Sequence, residues 1–303
     1  MLWHSCQCSG RLLPGIVPGM EPFPLPGSAD PVTVVAPLGP GRERWAGAPA
    51  AALDTDGSLV VGYRVRDAHG DHNVIARSDD GETLTTVATL SPERLGAGMV
   101  ERPALVRTPE GRWRMWVSAA TPNSKHWSVM LLEADRVEQL PEATPRPAFP
   151  GDPETVGLKD PVVRMRGGRW EAWLTCHPLD LEGHEDRMAT AYATSRDGLE
   201  WTWHGPVLSP RPGTWDARGA RLTTVLPDGR AAYDGRPSAE ANWFEQIGLA
   251  APSATGFASV SDEPAYDARY LTALELPDGG VRIWYEYRLP DESHELRTEL
   301  IAR

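Results

Sequence analysis

Lys159-Asp160-Pro161-Val162-Val163, a turn at Gly167-Gly168, and then Trp170-Glu171-Ala172-Trp173-Leu174 set the architectural reading of this chain. A charged start, an apolar run, two glycines and a second aromatic-rich run make a β-hairpin. Branched and aromatic side chains suit a pleated surface, and glycine supplies the turn. The same plan recurs four more times. Ala48 to Leu53 turns at Asp56-Gly57 into Leu59 to Tyr63, and Glu101 to Val106 turns at Glu110-Gly111 into Trp113 to Val117. Arg218 to Leu222 turns at Asp228-Gly229 into Ala231 to Tyr233, and Arg269 to Leu274 turns at Asp278-Gly279 into Val281 to Tyr285. The turn glycines fall at 57, 111, 168, 229 and 279, and intervals of 50 to 61 residues suit a four-stranded propeller blade with its connections.

Outer strands are visible too. His72 to Arg77 turns at Ser78-Asp79-Asp80-Gly81 into Leu84 to Leu90, and Met188 to Thr194 turns at Ser195-Arg196-Asp197-Gly198 into Trp201 to Trp203. The fifth blade runs out of chain after Leu296 to Ala302. A sheet edge left open invites aggregation, so Val32-Thr33-Val34-Val35 is expected to supply the missing strand and close the ring. The expected fold is all-β, a single five-bladed β-propeller of four-stranded antiparallel blades spanning residues 30–303. Residues 1–29 read as a leader, partly disordered.

Composition narrows the function. Of 303 residues, 42 are acidic and 30 basic, a formal charge of −12, which argues against a nucleic-acid partner. No run of about 18 apolar residues exists, which argues against a membrane helix. Pro14, Gly15 and Pro18 interrupt the stretch where a signal peptide would be continuous. Cys6, Cys8 and Cys176, an odd and sparse set, fit a reducing cytoplasm, the expected location. No nucleophile-elbow, P-loop, dinucleotide or zincin motif is present. No cofactor is required, and a central metal ion is left open.

Propeller geometry sends the start of each inner strand and the loop after each second strand to one face, so five of each converge on an axial funnel. His69, His72, His126, His177, His184 and His294 all fall in those loops, a distribution that points to proton transfer there. Counting back from the turn glycines aligns Ala48, Arg102, Asp160, Ala220 and Tyr270 at one position. Asp160 is the sharpest candidate. Lys159, Arg102, Arg218 and Arg269 would surround it, which favours its ionised form and an orienting role. Lysine occurs only at Lys125 and Lys159, against 28 arginines, which marks both as candidate binding residues. Asp234, Arg236, Glu245 and Trp243 lie in the fourth loop, where they would offer an acid and a stacking platform. Trp113, Trp116, Trp170, Trp173, Trp201, Trp203 and Trp284 sit at strand positions and read as core.

Lys159-Asp160-Pro161, with the blade-ending Ser195-Arg196-Asp197-Gly198-Leu199-Glu200-Trp201 and Ser78-Asp79-Asp80-Gly81, resembles the five-bladed glycosidase-like propellers, the group of glycoside hydrolase families 43, 32, 68, 117 and 130. In family 43 the resemblance implies a first-blade Asp base, a third-blade Asp that orients, and a fourth-blade Glu acid. Asp160 matches the second. Ala48 stands at the first, and blade four starts Asp216-Ala217-Arg218-Gly219 where the Glu is expected. Two-carboxylate hydrolysis needs both missing roles filled. The expected catalytic set is therefore Asp160 with Glu101, His177 and Glu245, Asp216 being a further stand-in. The expected binding set is Lys159, Arg102, Arg218, Arg269, Tyr270, Lys125, His126, His69 and Trp243. The expected function is a glycosidase-like hydrolase or phosphorylase acting on a small-molecule or oligosaccharide substrate, with an arginine-rich axis suited to an anionic group. The alternatives are a lyase, cyclase or isomerase using the funnel histidines, and a non-catalytic sugar-binding module.

Overall fold

The computed structural model describes residues 22–68 and 70–302. His4, Cys6, Cys8 and His69 lie outside them, as does most of the leader.

Twenty strands are formed among the described residues. A short β1 (Val32–Val35) precedes the blades. Blade one is β2 (Trp45–Leu53), β3 (Leu59–Asp67), β4 (Gly70–Ser78) and β5 (Thr85–Leu90). Blade two is β6 (Met99–Arg107), β7 (Trp113–Ala120), β8 (Trp127–Ala134) and β9 (Arg146–Phe149). Blade three is β10 (Val156–Arg166), β11 (Arg169–Pro178), β12 (Ala189–Ser195) and β13 (Thr202–Leu208). Blade four is β14 (Gly219–Val225), β15 (Ala231–Arg236), β16 (Gln246–Ser253) and β17 (Gly256–Ser259). Blade five holds β18 (Arg269–Glu275), β19 (Val281–Arg288) and β20 (His294–Ile301).

The ring closes as its edge requires. β1 pairs antiparallel with β20, Val32 facing Thr298 and Thr33 facing Arg297, and so becomes the outer strand of blade five. The inner strands β2, β6, β10, β14 and β18 touch in that order, and β18 returns to β2. Five apolar clusters fill the seams, each drawn from two successive blades. Trp116 and Trp170 meet between blades two and three with ring centroids 5.6 Å apart, and Trp284 of blade five is sealed against Val61 of blade one. Trp203 is the exception among the strand tryptophans: 47% exposed, it faces solvent from outer strand β13. Segment 22–29, read as leader, packs on the ring. Phe23 is buried in the seam of blades four and five, and the Gly27 and Ala29 amides donate to Glu299.

The two Ser-x-Asp-Gly turns are wired alike. Asp80 accepts from the Glu82 and Thr83 amides, and Asp197 from those of Leu199 and Glu200. In both turns the serine hydroxyl accepts from the glycine amide.

Inner-strand bulges aim the site. Two residues of the inner strand oppose one of its partner at 48–49, 101–102, 160–161 and 270–271. The extra residue bends the strand and redirects its side chains. Ala48, Asp160 and Tyr270, first of their pairs, take left-handed backbone angles with φ of 48°, 49° and 55°. In blade two the first of the pair is Glu101. Counting back from the turn had put Arg102 there, because the blade-two bulge sits one residue earlier relative to its turn.

Candidate active site

A cavity of about 710 Å³ opens at the funnel end of the axis. Its floor is a lattice of buried charges. Lys159 of β10 reaches Glu101 of β6 and lies 3.7 Å from Asp160. Arg64 of β3 holds Glu101 at 3.1 Å and is itself held by Asp71 at 2.6 Å. Arg221 of β14 is the hub: it bonds Asp234 at 2.8 Å and Glu245 at 2.5 Å, lies 3.5 Å from Asp160, and stacks 3.9 Å from the Tyr270 ring centroid. Glu245 also takes Arg236 at 2.6 Å and Arg269 at 3.3 Å, and Arg269 ends on Glu286 at 2.6 Å. Above this lattice stand aromatic faces. Trp45 packs 5.3 Å from Trp243 and receives Arg64 and Arg66 on its ring, while Trp127 receives Lys159 at 4.5 Å.

Eight cations line the wall, yet seven of them, Arg42, Arg64, Arg66, Lys159, Arg221, Arg236 and Arg269, each meet a carboxylate within 4 Å. The expectation of one aspartate among arginines is therefore corrected. Asp71, Asp234, Glu245 and Glu286 balance the guanidinium groups, as leaving a buried charge unpaired costs several kcal/mol. Lys125, exposed at the rim, is the eighth cation; both lysines of the chain thus reach this wall.

Five carboxylates share the wall, and all five are held below the ordinary range. Burial pushes Glu101 and Glu245 upward, but Lys159 and Arg64 outweigh it for Glu101, and Arg221, Arg236 and Arg269 bring Glu245 to about 2. Burial of Asp186 is outweighed by its bond from Arg218 and by Arg236. Backbone amides lower Glu185, its own first, and the Ser238 hydroxyl lowers Glu240. None is a protonated donor at neutral pH. The acid role expected of Glu245 is not one its surroundings support.

No family model matches the chain. No curated protein matches it in sequence either. Solved structures do match in shape. A β-1,2-mannobiose phosphorylase from Listeria innocua, solved with β-1,2-mannobiose, aligns over 88% of this chain and 94% of its own at 15% identity and a TM-score of 0.58. A thermostable family-43 glycoside hydrolase aligns over 84% and 88% at 14% identity and 0.60. Sucrose-6-phosphate hydrolase from Lactobacillus gasseri aligns over 91% and 61% at 12% identity and 0.65. The chain has the fold of the propeller glycosidases.

Within this propeller the sequence candidates separate. Glu101, Lys159, His177, Glu245, Arg269, Tyr270, Lys125 and Trp243 line the cavity. Asp160 does not: it is fully buried behind Lys159 and Arg221, its amide donating to Ser118 Oγ at 2.8 Å, and burial raises its carboxyl against those cations. Asp160 therefore lies behind the wall, 3.7 Å from Lys159 and 3.5 Å from Arg221. Arg102 is also absent from the wall. Its guanidinium crosses the axis to Pro49 O at 3.4 Å, Thr223 O at 2.6 Å and Thr272 Oγ1 at 3.1 Å, tying blades one, four and five. Among the described residues no three His, Cys, Asp or Glu side chains form a group that could hold a metal ion. Arg218 is not part of the wall but pairs with the wall residue Asp186, and Asp216 is spent on Arg211, Thr214 and Tyr233.

The histidine funnel is corrected most. His177 alone of the described histidines lines the cavity. Burial, then the Lys159 charge, pushes its pKa well down, so it is neutral. His126 turns into its own loop, Nδ1 bonded to Thr121 Oγ1 at 2.8 Å. His294 is buried edge-on to Trp45, and burial drives it to about 2. His184 contacts Arg218, and His72 sits on β4 away from the lining.

Arg221 and Glu286 are the residues that sequence reasoning did not bring to the centre. Their one legible signal was the charged positions inside β14 and β19. A second cavity of similar volume, bordered by Arg169, Asp197 and His204, lies on blade three and shares no residue with the funnel.

Gly47 is required by close approach. A Cβ there would collide with the Glu286 carboxylate that also accepts from the Ala48 amide at 3.1 Å. Gly47→Ala is expected to displace the Arg269–Glu286 pair and cost about 3 kcal/mol, read as a lowered thermal midpoint. A midpoint matching the wild type would contradict the packing.

Proposed function

We propose that this protein is a glycosidase-like enzyme that acts on a glycoside or another polyhydroxylated small molecule in the axial funnel. The observation that carries this reading is the composition of the wall: the partly exposed rings of Trp127 and Trp243, backed by the buried Trp45 and Tyr270, stand among guanidinium and carboxylate groups whose charges are largely matched. A sugar ring has apolar C–H faces that stack on aromatic rings and hydroxyls that pair with ionised forks, and such a wall serves both. Charge balance favours a neutral polar ligand over the anionic one that the arginine count suggested. The named activities of the structural neighbours support the same class.

Within this reading, Glu101 is the ionised carboxylate that accepts from a substrate hydroxyl or takes a proton from attacking water. Lys159 and Arg64 fix it; Asp160 lies 3.7 Å behind Lys159, and Asp71 holds Arg64 at 2.6 Å. A second reading, chemistry other than two-carboxylate hydrolysis, is favoured by the low pKa values of all five wall carboxylates.

Purified protein would be incubated with oligosaccharides and aryl glycosides, with and without phosphate, and products weighed by mass spectrometry. Cleavage is expected, with the acceptor, water or phosphate, read from the product mass. Glu101→Gln is expected to lower kcat by roughly 10²–10⁴ while the circular dichroism spectrum is unchanged. Sugar binding without turnover would leave a binding module; silence in both assays would overturn the reading.

A further inference from the structure

We propose that Tyr270 is the proton donor to the leaving oxygen of the substrate, an assignment that rests on the glycosidase-like reading above. The argument starts from the backbone. Tyr270 has a φ of 55°, a region that costs a bulky residue of order 1–3 kcal/mol and that persists where surroundings enforce it, often at functional sites. The enforcing group here is buried Asp234, whose two carboxylate oxygens accept from the Tyr270 amide at 3.1 and 3.0 Å. The twist presents the ring to the cavity instead of to the blade seam, where Leu271, the next residue, is buried.

The hydroxyl stands apart from the other buried phenols. Tyr233 donates to Asp216 and Tyr285 donates to Glu299, each within 2.8 Å, as buried polar groups generally do. Tyr270 forms no hydrogen bond through its hydroxyl among the described residues, and of the described residues that line the cavity it alone carries a hydroxyl. Its ring lies on the Arg221 guanidinium at 3.9 Å, with Arg269 at 5.6 Å and Arg102 at 5.9 Å. Of these, Arg221 lowers the cost of the negative charge the phenol acquires on giving up its proton, working against burial and the nearby Asp160, Glu101 and Glu245 carboxylates.

Elimination leads to the same residue. The five wall carboxylates are ionised, and His177 is neutral with no imidazolium proton to give. Burial keeps the Tyr270 phenol protonated, well above its ordinary value. In the step, the bond from the anomeric carbon to the leaving oxygen breaks, its electron pair stays on that oxygen, and the phenolic proton moves there. A water oxygen bonds to the anomeric carbon, and the proton it sheds passes through Glu101 back to the phenolate. The sum is glycoside plus water giving sugar plus alcohol.

The test uses leaving groups of different basicity on the sugar that the turnover screen identifies. A dinitrophenolate departs without a proton, whereas a sugar alkoxide needs one. Tyr270→Phe is expected to lower kcat/KM for the disaccharide by about 10², the lower end for acid catalysis because a phenol releases its proton reluctantly. The loss on the dinitrophenyl glycoside is expected to be smaller by about tenfold or more. Equal losses on both substrates, with an unchanged thermal midpoint, would make Tyr270 a structural or binding residue and overturn the proposal while the glycosidase reading stands. No loss on either would overturn it likewise. A wild type that cleaves neither substrate would overturn both.

Discussion

Glu245→Gln is expected to melt roughly 10 °C below the wild type, although it changes one oxygen for one nitrogen. Glu245 is buried and accepts from Arg221, Arg236 and Arg269, three guanidinium groups from three strands of blades four and five. Arg221 and Arg236 are as buried as Glu245 itself, so removal of the negative charge leaves desolvated cations facing each other. Breaking a buried pair in this way costs about 3–5 kcal/mol, and for a chain of this size each kcal/mol is worth about 2–4 °C. The pH dependence gives an independent check. The folded carboxyl rests at about 2 against 4.5 for an ordinary glutamate. Its contribution is therefore complete above about pH 4.5 and is lost as pH falls towards 2, because the unfolded chain takes up the proton first. Glu101, also held low, adds to the same acid loss. Asp234 runs the other way: burial raises it to about 6, so its contribution is present in acid and lost as pH rises through 6. Urea titrations from pH 7 to pH 2 should show stability falling steeply below 4.5 in the wild type and less steeply in Glu245→Gln. Parallel curves, or an unchanged midpoint at pH 7, would remove the arginine lattice as a source of stability.

A chain that begins at residue 38 is expected to lose the cooperative transition and to associate. It would lack β1, whose pairing with β20 closes the ring, and with it the partly buried Val34 and Val35 of the seam between blades five and one. Phe23 and Leu25, packed in the next seam, would also go, and so would the Gly27 and Ala29 amides that satisfy buried Glu299. At about 1.5–3 kcal/mol for each fully buried apolar side chain, the apolar loss alone is roughly 5 kcal/mol, comparable with the whole stability of many domains. The exposed edge of β20 would then offer unpaired backbone groups to a second molecule. Sedimentation and thermal unfolding of the truncated chain decide the matter. A monomer with a wild-type midpoint would mean that the ring closes without its N-terminal strand.

These two expectations also mark where legibility ended. The closing strand could be read because a propeller must hide its last edge and one short apolar run before Gly39 was free to do it. Blade boundaries could be read because each turn announces itself locally, as Asp228-Gly229 and Asp278-Gly279 do. The outer strands β8, β9, β16 and β17 carried weaker alternation and were not resolved individually. At the site, Glu101, Lys159, Tyr270 and Trp243 reached the cavity as their positions implied, whereas Arg102 and His126 did not. A one-residue displacement of the blade-two bulge sends Arg102 across the axis, and a bond to Thr121 turns His126 into its own loop. Neither has a composition signal.

Hydrophobic periodicity and turn chemistry act over a few residues, so the chain by itself determined the blades, their order, the closing strand and the face on which the loops gather. Charge pairing acts across blades, between residues such as Arg221 and Asp160 that are 61 positions apart, and buried carboxylates find backbone donors across the ring, as Glu286 does in the Ala48 amide 238 positions away. Only the closed ring brings those partners within bonding distance and removes the water around them. Which carboxylates are ionised, which arginines are already spent, and which phenol is left with a free hydroxyl were therefore decided by the tertiary structure.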